Sequence, residues 1–161
     1  MTAYRAATEA DLPAICALGQ VVNLLHHQAW PQIFAPASAP ERDEQHWRQG
    51  VASSGSVVFV AERAGTLIGF VTVSVITESH SLLQPMQYAK VGSICVQEAE
   101  RGRGVGSNLM ERAEEWAAAQ GAIDVRLNVW AFNQSALALY KELGYEVRSL
   151  FLGKSLPLNV A

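Results

Sequence analysis

The chain has 161 residues, of which 50% are hydrophobic, and a net charge of −3. This length and composition suit one domain over residues 1–161 with an ordinary hydrophobic core. The acidic balance, with a pI of about 5.8, argues against a surface devoted to nucleic acid, which would be strongly basic. No apolar run reaches the roughly 20 residues of a membrane span, and the amino terminus lacks a signal-peptide pattern. We therefore expect a cytoplasmic protein with neither a nucleic-acid nor a membrane partner.

In its first half the chain alternates between helical and strand-like patterns. Apolar residues recur at helical spacing after the capping-box sequence Thr8-Glu9-Ala10-Asp11, whereas Val-, Ile- and Phe-rich segments flank the tight-turn pair Ala64-Gly65. The predicted elements are a strand at 3–6, a helix to about residue 27, a Pro/Ala-rich loop, a helix near 41–52, and antiparallel strands at 56–63 and 66–77.

The second half predicts alternating strands and helices. Gly121 and Gly144 are the expected ends of two helices, because glycine favours the position after a helix. The predicted elements are a strand at 87–96, a helix at 107–120, a strand at 123–130, a helix at 134–143, a strand at 145–152 and a doubtful short strand at 154–158.

A glycine-rich loop, Arg101-Gly102-Arg103-Gly104-Val105-Gly106, separates the strand at 87–96 from the following helix. Alternating glycines let backbone NH groups turn inward, and the helix adds its unpaired NH groups and the positive end of its dipole. The guanidinium groups of Arg101 and Arg103 suit phosphate oxygens. The loop therefore predicts a diphosphate site.

The spacing of this loop argues against two common phosphate-binding classes. A P-loop would require a Gly-Lys-Ser/Thr ending, and none follows. The dinucleotide fingerprint would require glycine at position 107, which is Ser107. A nucleotide-dependent kinase or oxidoreductase is therefore disfavoured.

Two segments resemble the GCN5-related N-acetyltransferase superfamily. Arg101, Gly104 and Gly106 match its Q/R-x-x-G-x-G/A loop, and the segment from Asn133 to Tyr145 matches its N-x-x-A-x-x-x-Y-x-x-x-G-F/Y segment. Residues 4–12 look like its first strand and helix entry, so the resemblance covers almost the whole chain. It implies an α/β fold with a mixed, mostly antiparallel sheet of six to seven strands and four helices, splayed between strands four and five.

The resemblance implies an acyltransferase, specifically an acetyltransferase. Such an enzyme transfers the acetyl group of acetyl-CoA to a primary amine of a small molecule, peptide or protein, by direct attack in a ternary complex and without a metal. The rival interpretation is a non-catalytic CoA-binding sensor or recruitment module. A homodimer is also compatible with the resemblance, although the sequence does not indicate one. The amine and the acyl chain preference stay open.

The family's cofactor contacts can be carried over residue by residue. Backbone groups of strand four would bind the pantetheine arm, the loop would bind the pyrophosphate, and the start of helix four would also contact the cofactor. The residues concerned are Ile94, Cys95, Val96, Arg101, Gly102, Arg103, Gly104, Val105, Gly106, Ser107, Asn133, Ser135 and Tyr140. Asn133 also reads as a helix N-cap, and the two roles are compatible.

Catalytic roles follow from the same resemblance. Tyr140 is expected near the thioester sulfur as the general acid. The general base is assigned to Glu78, with His80 or a water relayed by backbone carbonyls as alternatives. Acyl transfer through Cys95 is a further option, although a strand cysteine is more often a small buried hydrophobe.

The segment around His26-His27 and Trp30 to Phe34 is expected to shape acceptor choice or to plug the core. The two cysteines, Cys16 and Cys95, and the four histidines form no metal-type cluster, so no structural zinc or disulfide is predicted.

Overall fold

The computed structural model describes residues 1–37 and 40–159. Its elements are β1 (Ala3–Ala6), α1 (Leu12–Ala29), α2 (Pro40–Ala52), β2 (Ser56–Arg63), β3 (Thr66–Glu78), β4 (Met86–Val96), α3 (Val105–Ala119), β5 (Val125–Leu127) and α4 (Gln134–Glu142). The four helices and the first four strands agree with the sequence pattern to within two residues. Residues 38 and 39 of the expected Pro/Ala-rich loop lie outside the described residues. In the part of the chain that is described, none of the helices combines the length and apolar character needed to cross a bilayer.

The five strands form one sheet in the order β1-β2-β3-β4-β5. Neighbours from β1 to β4 run antiparallel, whereas β4 and β5 run parallel. The hairpin between β2 and β3 turns at Ala64 and Gly65, both with positive φ, which matches the right-handed twist of the strands. The expected mixed, mostly antiparallel α/β fold is confirmed.

Helices cover both faces of the sheet. Because side chains alternate across a strand, Phe70 joins a cluster with Ile15 of α1, while Val71 joins a cluster with Leu109 of α3. All four side chains are fully buried. We call these clusters the α1 side and the α3 side; α2 packs on the former and α4 on the latter.

A β-bulge in β4 ends the contact between β4 and β5. Val73 pairs with Val91 and Val71 pairs with Ile94, so two residues of β4, Gly92 and Ser93, lie opposite the single residue Thr72. The Ser93 amide donates to Thr72 Oγ1 at 2.9 Å. Pairing with β5 covers only residues 89–91, although β4 continues to Val96. The predicted splay between strands four and five is therefore confirmed.

The carboxyl-terminal part of the chain differs from the prediction. The strand expected at 123–130 is paired only at Val125–Leu127, and the strands expected at 145–152 and 154–158 are not formed. The sheet therefore has five strands in the described residues, and the expected six to seven is wrong. Residues 145–152 do have strand-forming side chains, but a strand exists only where a neighbour supplies hydrogen bonds. We call residues 146–159, all of them exposed, the C-terminal arm.

Candidate active site

The glycine-rich loop presents a row of backbone NH groups. Gly102 and Gly104 adopt φ values of +73° and +82°, a left-handed conformation that other residues rarely adopt. In the first backbone hydrogen bond of α3, the Asn108 amide donates to Gly104 O at 3.0 Å. Among the described residues, the amides of 102–107 have no hydrogen-bond acceptor. An anion could therefore bind several of them at once.

The glycines of the loop have different structural roles. A Cβ on Gly104 would come no closer than 3.6 Å to another group, Asn108 Nδ2, so the space beside Gly104 is open. A Cβ on Gly106 would lie 3.2 Å from Leu139 Cδ2, so this glycine allows α3 to approach α4. Gly104 thus leaves room for a ligand, whereas Gly106 joins two helices.

The glycine-rich loop carries two guanidinium groups, those of Arg101 and Arg103. Arg101 is exposed and its Nε donates to Val96 O at 3.1 Å, which holds the side chain beside the end of β4. Arg103 is 61% exposed and makes only a 3.6 Å ion pair with Glu100, whose carboxylate also binds Arg63. Both arginines keep donors for an incoming anion.

Beyond the bulge, β4 offers backbone groups on an edge without a strand partner in the described chain. Ile94 and Val96 pack on the α3 side, and Cys95 packs on the α1 side. An extended ligand arm could therefore pair with the main chain of residues 94–96.

Cys95 is poorly suited to nucleophilic attack. Its Sγ donates to Leu18 O at 3.2 Å, and burial raises the pKa of the thiol to about 11. The reactive form of cysteine is the thiolate, which is scarce near neutral pH at such a pKa. The geometry therefore disfavours acyl transfer through Cys95.

Tyr140 of α4 lies next to this edge on the α3 side, with only 8% of its surface exposed. Burial raises the pKa of its phenol to about 12. Its hydroxyl has no hydrogen bond in the described chain, yet it is not among the fully enclosed polar atoms. The neighbouring Tyr145 differs, because its hydroxyl donates to Glu114 Oε1 at 2.8 Å. Tyr140 thus has a protonated hydroxyl free to donate.

Asn133 caps α4. Its Oδ1 accepts from the Ala136 amide at 3.3 Å and from Ser135 Oγ at 3.4 Å. The Asn133 Nδ2 group has no partner among the described residues. The expected N-cap geometry is present, and the amide nitrogen is left available to a ligand.

A cleft of about 310 Å³ lies on the α1 side and reaches the β4 bulge at Ser93. Its wall is largely aromatic and imidazole, with one carboxylate. The lining includes His26, Phe34, Asp43, Trp47 and Ser93.

His26 is held in one orientation in this cleft. Its Nδ1 lies 2.8 Å from Val22 O, and a carbonyl oxygen can only accept, so Nδ1 carries a hydrogen. The neutral ring therefore has its lone pair on Nε2. Phe34 and Phe132 contact the ring edge-on, at centroid distances of 4.9 Å and 5.2 Å. The sequence pattern does not reveal a catalytic role for His26, because the contact with Phe132 joins distant parts of the chain.

Trp47 contributes an unusual donor to the cleft wall. Its indole Nε1 is buried and has no hydrogen-bond partner in the described structure. Asp43 is half-buried, and among the described residues its one ion pair is with its exposed neighbour Arg42, at 2.9 Å. The wall thus combines an unpaired donor with one negative charge.

Glu78 and His80 lie away from these groups. Glu78 is the last residue of β3, six residues beyond Thr72, or about 20 Å along the strand. Its carboxylate accepts the amides of Ser79 and His80, and His80 Nδ1 accepts the amide of Leu82. Neither residue lines the cleft. The role of Glu78 as base stays a prediction that its position disfavours.

Comparisons with known proteins agree with this geometry. The uncharacterized N-acetyltransferase MJ1207 of Methanocaldococcus jannaschii is 34% identical over 95 residues, which is 59% of this chain and 41% of that protein. This chain thus spans about two fifths of that curated relative.

Solved structures share the fold. The tetramutant of the BH1408 protein from Bacillus halodurans superposes with a TM-score of 0.88 at 22% identity, covering 97% of this chain and 99% of that chain. Aminoglycoside N-acetyltransferase AAC(6')-Iy in complex with CoA superposes with a TM-score of 0.71 at 20% identity, covering 97% and 96%. The family model for the acetyltransferase (GNAT) family matches residues 22–145. From the cradle of amides, the splayed strand and this match, we conclude that the chain belongs to the GNAT acetyltransferase family.

Proposed function

We propose that this protein is an N-acetyltransferase that transfers an acetyl group from acetyl-CoA to the primary amine of a small molecule, by direct attack in a ternary complex. One observation carries the proposal. The unpaired amides of 102–107 follow the unpaired edge of β4 after a turn of only five residues, 97–101, and β4 leads back from them to the bulge at Ser93, which lines the cleft.

The described residues fit the cofactor along its length. The amides of 102–107, with Arg101 and Arg103, would hold the pyrophosphate, and the main chain of 94–96 would pair with the pantetheine arm. Asn133 Nδ2 would hydrogen-bond the same arm. When bound, acetyl-CoA supplies the activated acetyl thioester.

Tyr140 would stabilise the departing thiolate. A thiol has an ordinary pKa near 8.5, well below the pKa of about 12 of Tyr140. Complete proton transfer from the phenol alone is therefore uphill, and its main contribution is a hydrogen bond to the developing negative charge. The proton that the sulfur finally takes passes through the phenol, which is reprotonated from solvent in the same step, while the proton lost by the attacking amine leaves through the general base.

His26 would accept the proton of the attacking amine. Its Nε2 carries a lone pair in a cleft that reaches the bulge, whereas Glu78 lies outside that cleft. Geometry is the first requirement for a general base. We therefore favour His26 over Glu78 and His80.

The cleft favours a small amine with an apolar body. A volume of about 310 Å³ is at the lower end for small-molecule sites. Aromatic walls suit an apolar body, while the Trp47 NH could pair with a hydroxyl or carboxylate of the acceptor. Asp43 is the single carboxylate among the lining residues, which gives little attraction for a polycation.

The activity is tested with a panel of amines in an assay for CoA-thiol release, with each hit checked for acetylation by mass. Small monoamines with an apolar body are expected to react faster than polyamines, aminoglycosides or lysine peptides. Binding of CoA without acetylation of any amine would instead favour the non-catalytic sensor. Thiol release without an acetylated product would indicate hydrolysis alone.

The proposed pyrophosphate site at the amides of 102–107 is tested with Gly104→Val. Valine at a φ of +82° is strained and fills the open space beside the loop, so CoA affinity should fall by more than about 100-fold. The matched control is Gly55→Val, where φ is +78° and the surrounding space is open, but which lies before β2. Calorimetry should show normal CoA affinity for Gly55→Val. Normal CoA affinity for Gly104→Val would contradict the assignment of the pyrophosphate site to this loop.

A further inference from the structure

A second, smaller cavity of about 150 Å³ lies over β4 and β5 and shares no lining residue with the cleft. We call it the β4–β5 cavity. A water molecule takes up roughly 30 Å³ in the liquid, so the cavity has room for one small polar group, such as a carboxylate, with some water. None of its residues has a part in the acetyl transfer described above. The lining residues are Tyr88, Lys90, Arg126, Leu127 and Asn128.

The β4–β5 cavity lies on the same face of the sheet as the cleft. Ala89 and Val91 pack on the α3 side. Because side chains alternate across a strand, Lys90 between them points to the α1 side, and its neighbour on β5, Arg126, points the same way. Ser93 of the cleft is three residues from Lys90, roughly 10 Å along β4. A small molecule can therefore reach from the cleft to this cavity.

A row of side chains along β5 and its continuation joins the β4–β5 cavity to the cleft. The row consists of Arg126, Asn128 and Trp130, and the two residues between them pack on the α3 side. The row therefore lies on the α1 side. At its far end, the ring of Trp130 contacts Phe34 of the cleft wall at a centroid distance of 4.9 Å. The cleft and the cavity are thus two parts of one surface.

Two positive charges are neighbours in the β4–β5 cavity. Lys90 and Arg126 are register partners in the parallel pairing of β4 with β5. Like charges at neighbouring positions of adjacent strands destabilise a sheet. Lys90 is exposed and forms no hydrogen bond or ion pair within the described part of the chain, and no carboxylate lines the cavity. An anion bound from outside would compensate both charges.

Arg126 is held in place by its own chain. Its guanidinium carbon lies 3.9 Å from the centroid of the Tyr88 ring, its Nε donates to Asp124 Oδ2 at 2.9 Å, and its Nη2 lies 3.3 Å from Met86 Sδ. Asp124 shares its negative charge with Arg148, which donates to both of its oxygens. The Nη1 group of Arg126 has no partner among the residues that the structure describes. The guanidinium is therefore fixed and keeps donors for a ligand.

A carboxylate matches the donors of the β4–β5 cavity better than those of the cleft. In the cleft, the Trp47 NH carries no charge and Asp43 repels an anion. The cavity instead offers the ammonium of Lys90, the guanidinium of Arg126 and the amide of Asn128. Hydrogen bonds from charged donors to a carboxylate are roughly twice as strong as those between neutral groups. The aromatic cleft is therefore suited to the apolar body of a ligand, and the cavity to its carboxylate.

We propose that the β4–β5 cavity is an anion-binding subsite of the cleft, and that the acceptor is an amine with an apolar body and a carboxylate, which Lys90 and Arg126 bind. Amino-carboxylic acids are then the substrate class, with Lys90 as the residue that selects them. The identification of the anion as part of the acceptor rests on the proposed acetyltransferase activity, whereas the anion site itself does not.

The anion site is tested on the full chain without acetyl-CoA, using para-toluate, which has an aromatic body and a carboxylate but no amine. In an NMR titration of ¹⁵N-labelled protein, para-toluate should shift the amides of 88–90 and 126–128, and the neutral para-toluamide should not. Lys90→Met should weaken the binding of para-toluate by more than about tenfold. Arg112→Met, at an exposed arginine of α3, is the control and should leave it within about twofold. Unchanged amide shifts, or equal binding by Lys90→Met, would overturn the anion site.

The acceptor class is tested with two substrates that differ in charge, para-aminomethylbenzoate and para-aminomethylbenzamide. The wild-type kcat/KM for the benzoate should exceed that for the benzamide by more than about tenfold, mainly through KM. Lys90→Met should bring this ratio close to one, and Arg112→Met should keep it. Circular dichroism checks that the variants fold, with Lys90→Gln as a second variant.

The outcomes separate this inference from the proposed activity. Acetylation of the benzamide as fast as the benzoate, or of other amines but not the benzoate, would overturn the acceptor class while the acetyltransferase activity stands. If no amine of the panel is acetylated while para-toluate binds through Lys90, the proposed activity is contradicted and the anion site is confirmed.

Discussion

At the scale of single residues, the two side chains proposed for proton transfer differ in how far sequence could reveal them. The candidate role of Tyr140 can be inferred from a local sequence pattern, because its spacing from Asn133 and Gly144 is fixed along one helix. The importance of His26 depends on Val22 O, on Phe34 and on Phe132, which come from three parts of the chain. The sequence offers Glu78 as a candidate base near the end of strand three, yet the length of that strand places it about 20 Å from the bulge.

Tyr140→Phe should lower turnover by about 100-fold and leave CoA affinity within about twofold, because it removes only the hydroxyl that donates to the leaving sulfur. Steady-state kinetics and calorimetry measure the two quantities. The control is Tyr145→Phe, which loses a hydrogen bond to Glu114 and should lose about 1 kcal/mol of stability but keep its turnover. Full turnover in Tyr140→Phe would remove its proposed role.

His26→Ala should lower turnover by about 100-fold or more, and added imidazole should restore part of the loss by occupying the space of the ring. His27→Ala, whose ring binds Phe34 O instead, should be affected little and should gain nothing from imidazole. Glu78→Gln in the same assay should stay near wild type. If Glu78→Gln is inactive and His26→Ala is active, the base is Glu78.

At the scale of elements, periodicity was sufficient wherever an element buries one face against its own chain. The helices and β1 to β4 meet that condition, and their bounds were predicted closely. For β5 and the C-terminal arm the apolar pattern is equally strong. Strand formation, however, requires a neighbouring strand that supplies hydrogen bonds, and the sequence does not identify that neighbour. The splay between strands four and five follows from the family resemblance alone, and only the structure places the bulge that causes it at Gly92 and Ser93.

The junction between β1 and α1 depends on Asp11. Arg5 donates to both of its carboxylate oxygens, and this hydrogen bonding lowers the Asp11 pKa from 3.8 to about 2. The folded state therefore binds a proton less readily than the unfolded state. The contribution of the ionised Asp11 carboxylate to folding stability is present above pH 4 and is lost as pH falls towards 2.

Asp11→Asn should lower the free energy of unfolding by about 1–2 kcal/mol at pH 7, allowing for the partial exposure of Arg5. Urea unfolding at pH 7, 4 and 2.5 should show the wild type and variant converging at the lowest pH. Asp43→Asn, which loses only the pair with Arg42, is the control and should change by less than about 0.5 kcal/mol. A constant gap between Asp11→Asn and wild type at every pH would contradict this account.

At the scale of the whole molecule, the two faces of one sheet carry different parts of the candidate site. The cleft lies on the α1 side, whereas Tyr140 packs on the α3 side. The β4 bulge is where the two parts meet, because the cleft reaches Ser93 and pairing with β5 ends at Val91.

The alternation of β4 between two packed faces has an evolutionary consequence. Cys95 faces the side that contains the cleft, whereas Ile94 and Val96 face the side that supports the loop and Tyr140. Substitutions that reshape the cleft around Trp47 and Phe34 therefore leave the cofactor half of the molecule unstrained. A lineage built on this strand can exchange one acceptor for another by a few changes in α1 and α2 that leave His26 in place, and can so keep the proposed chemistry.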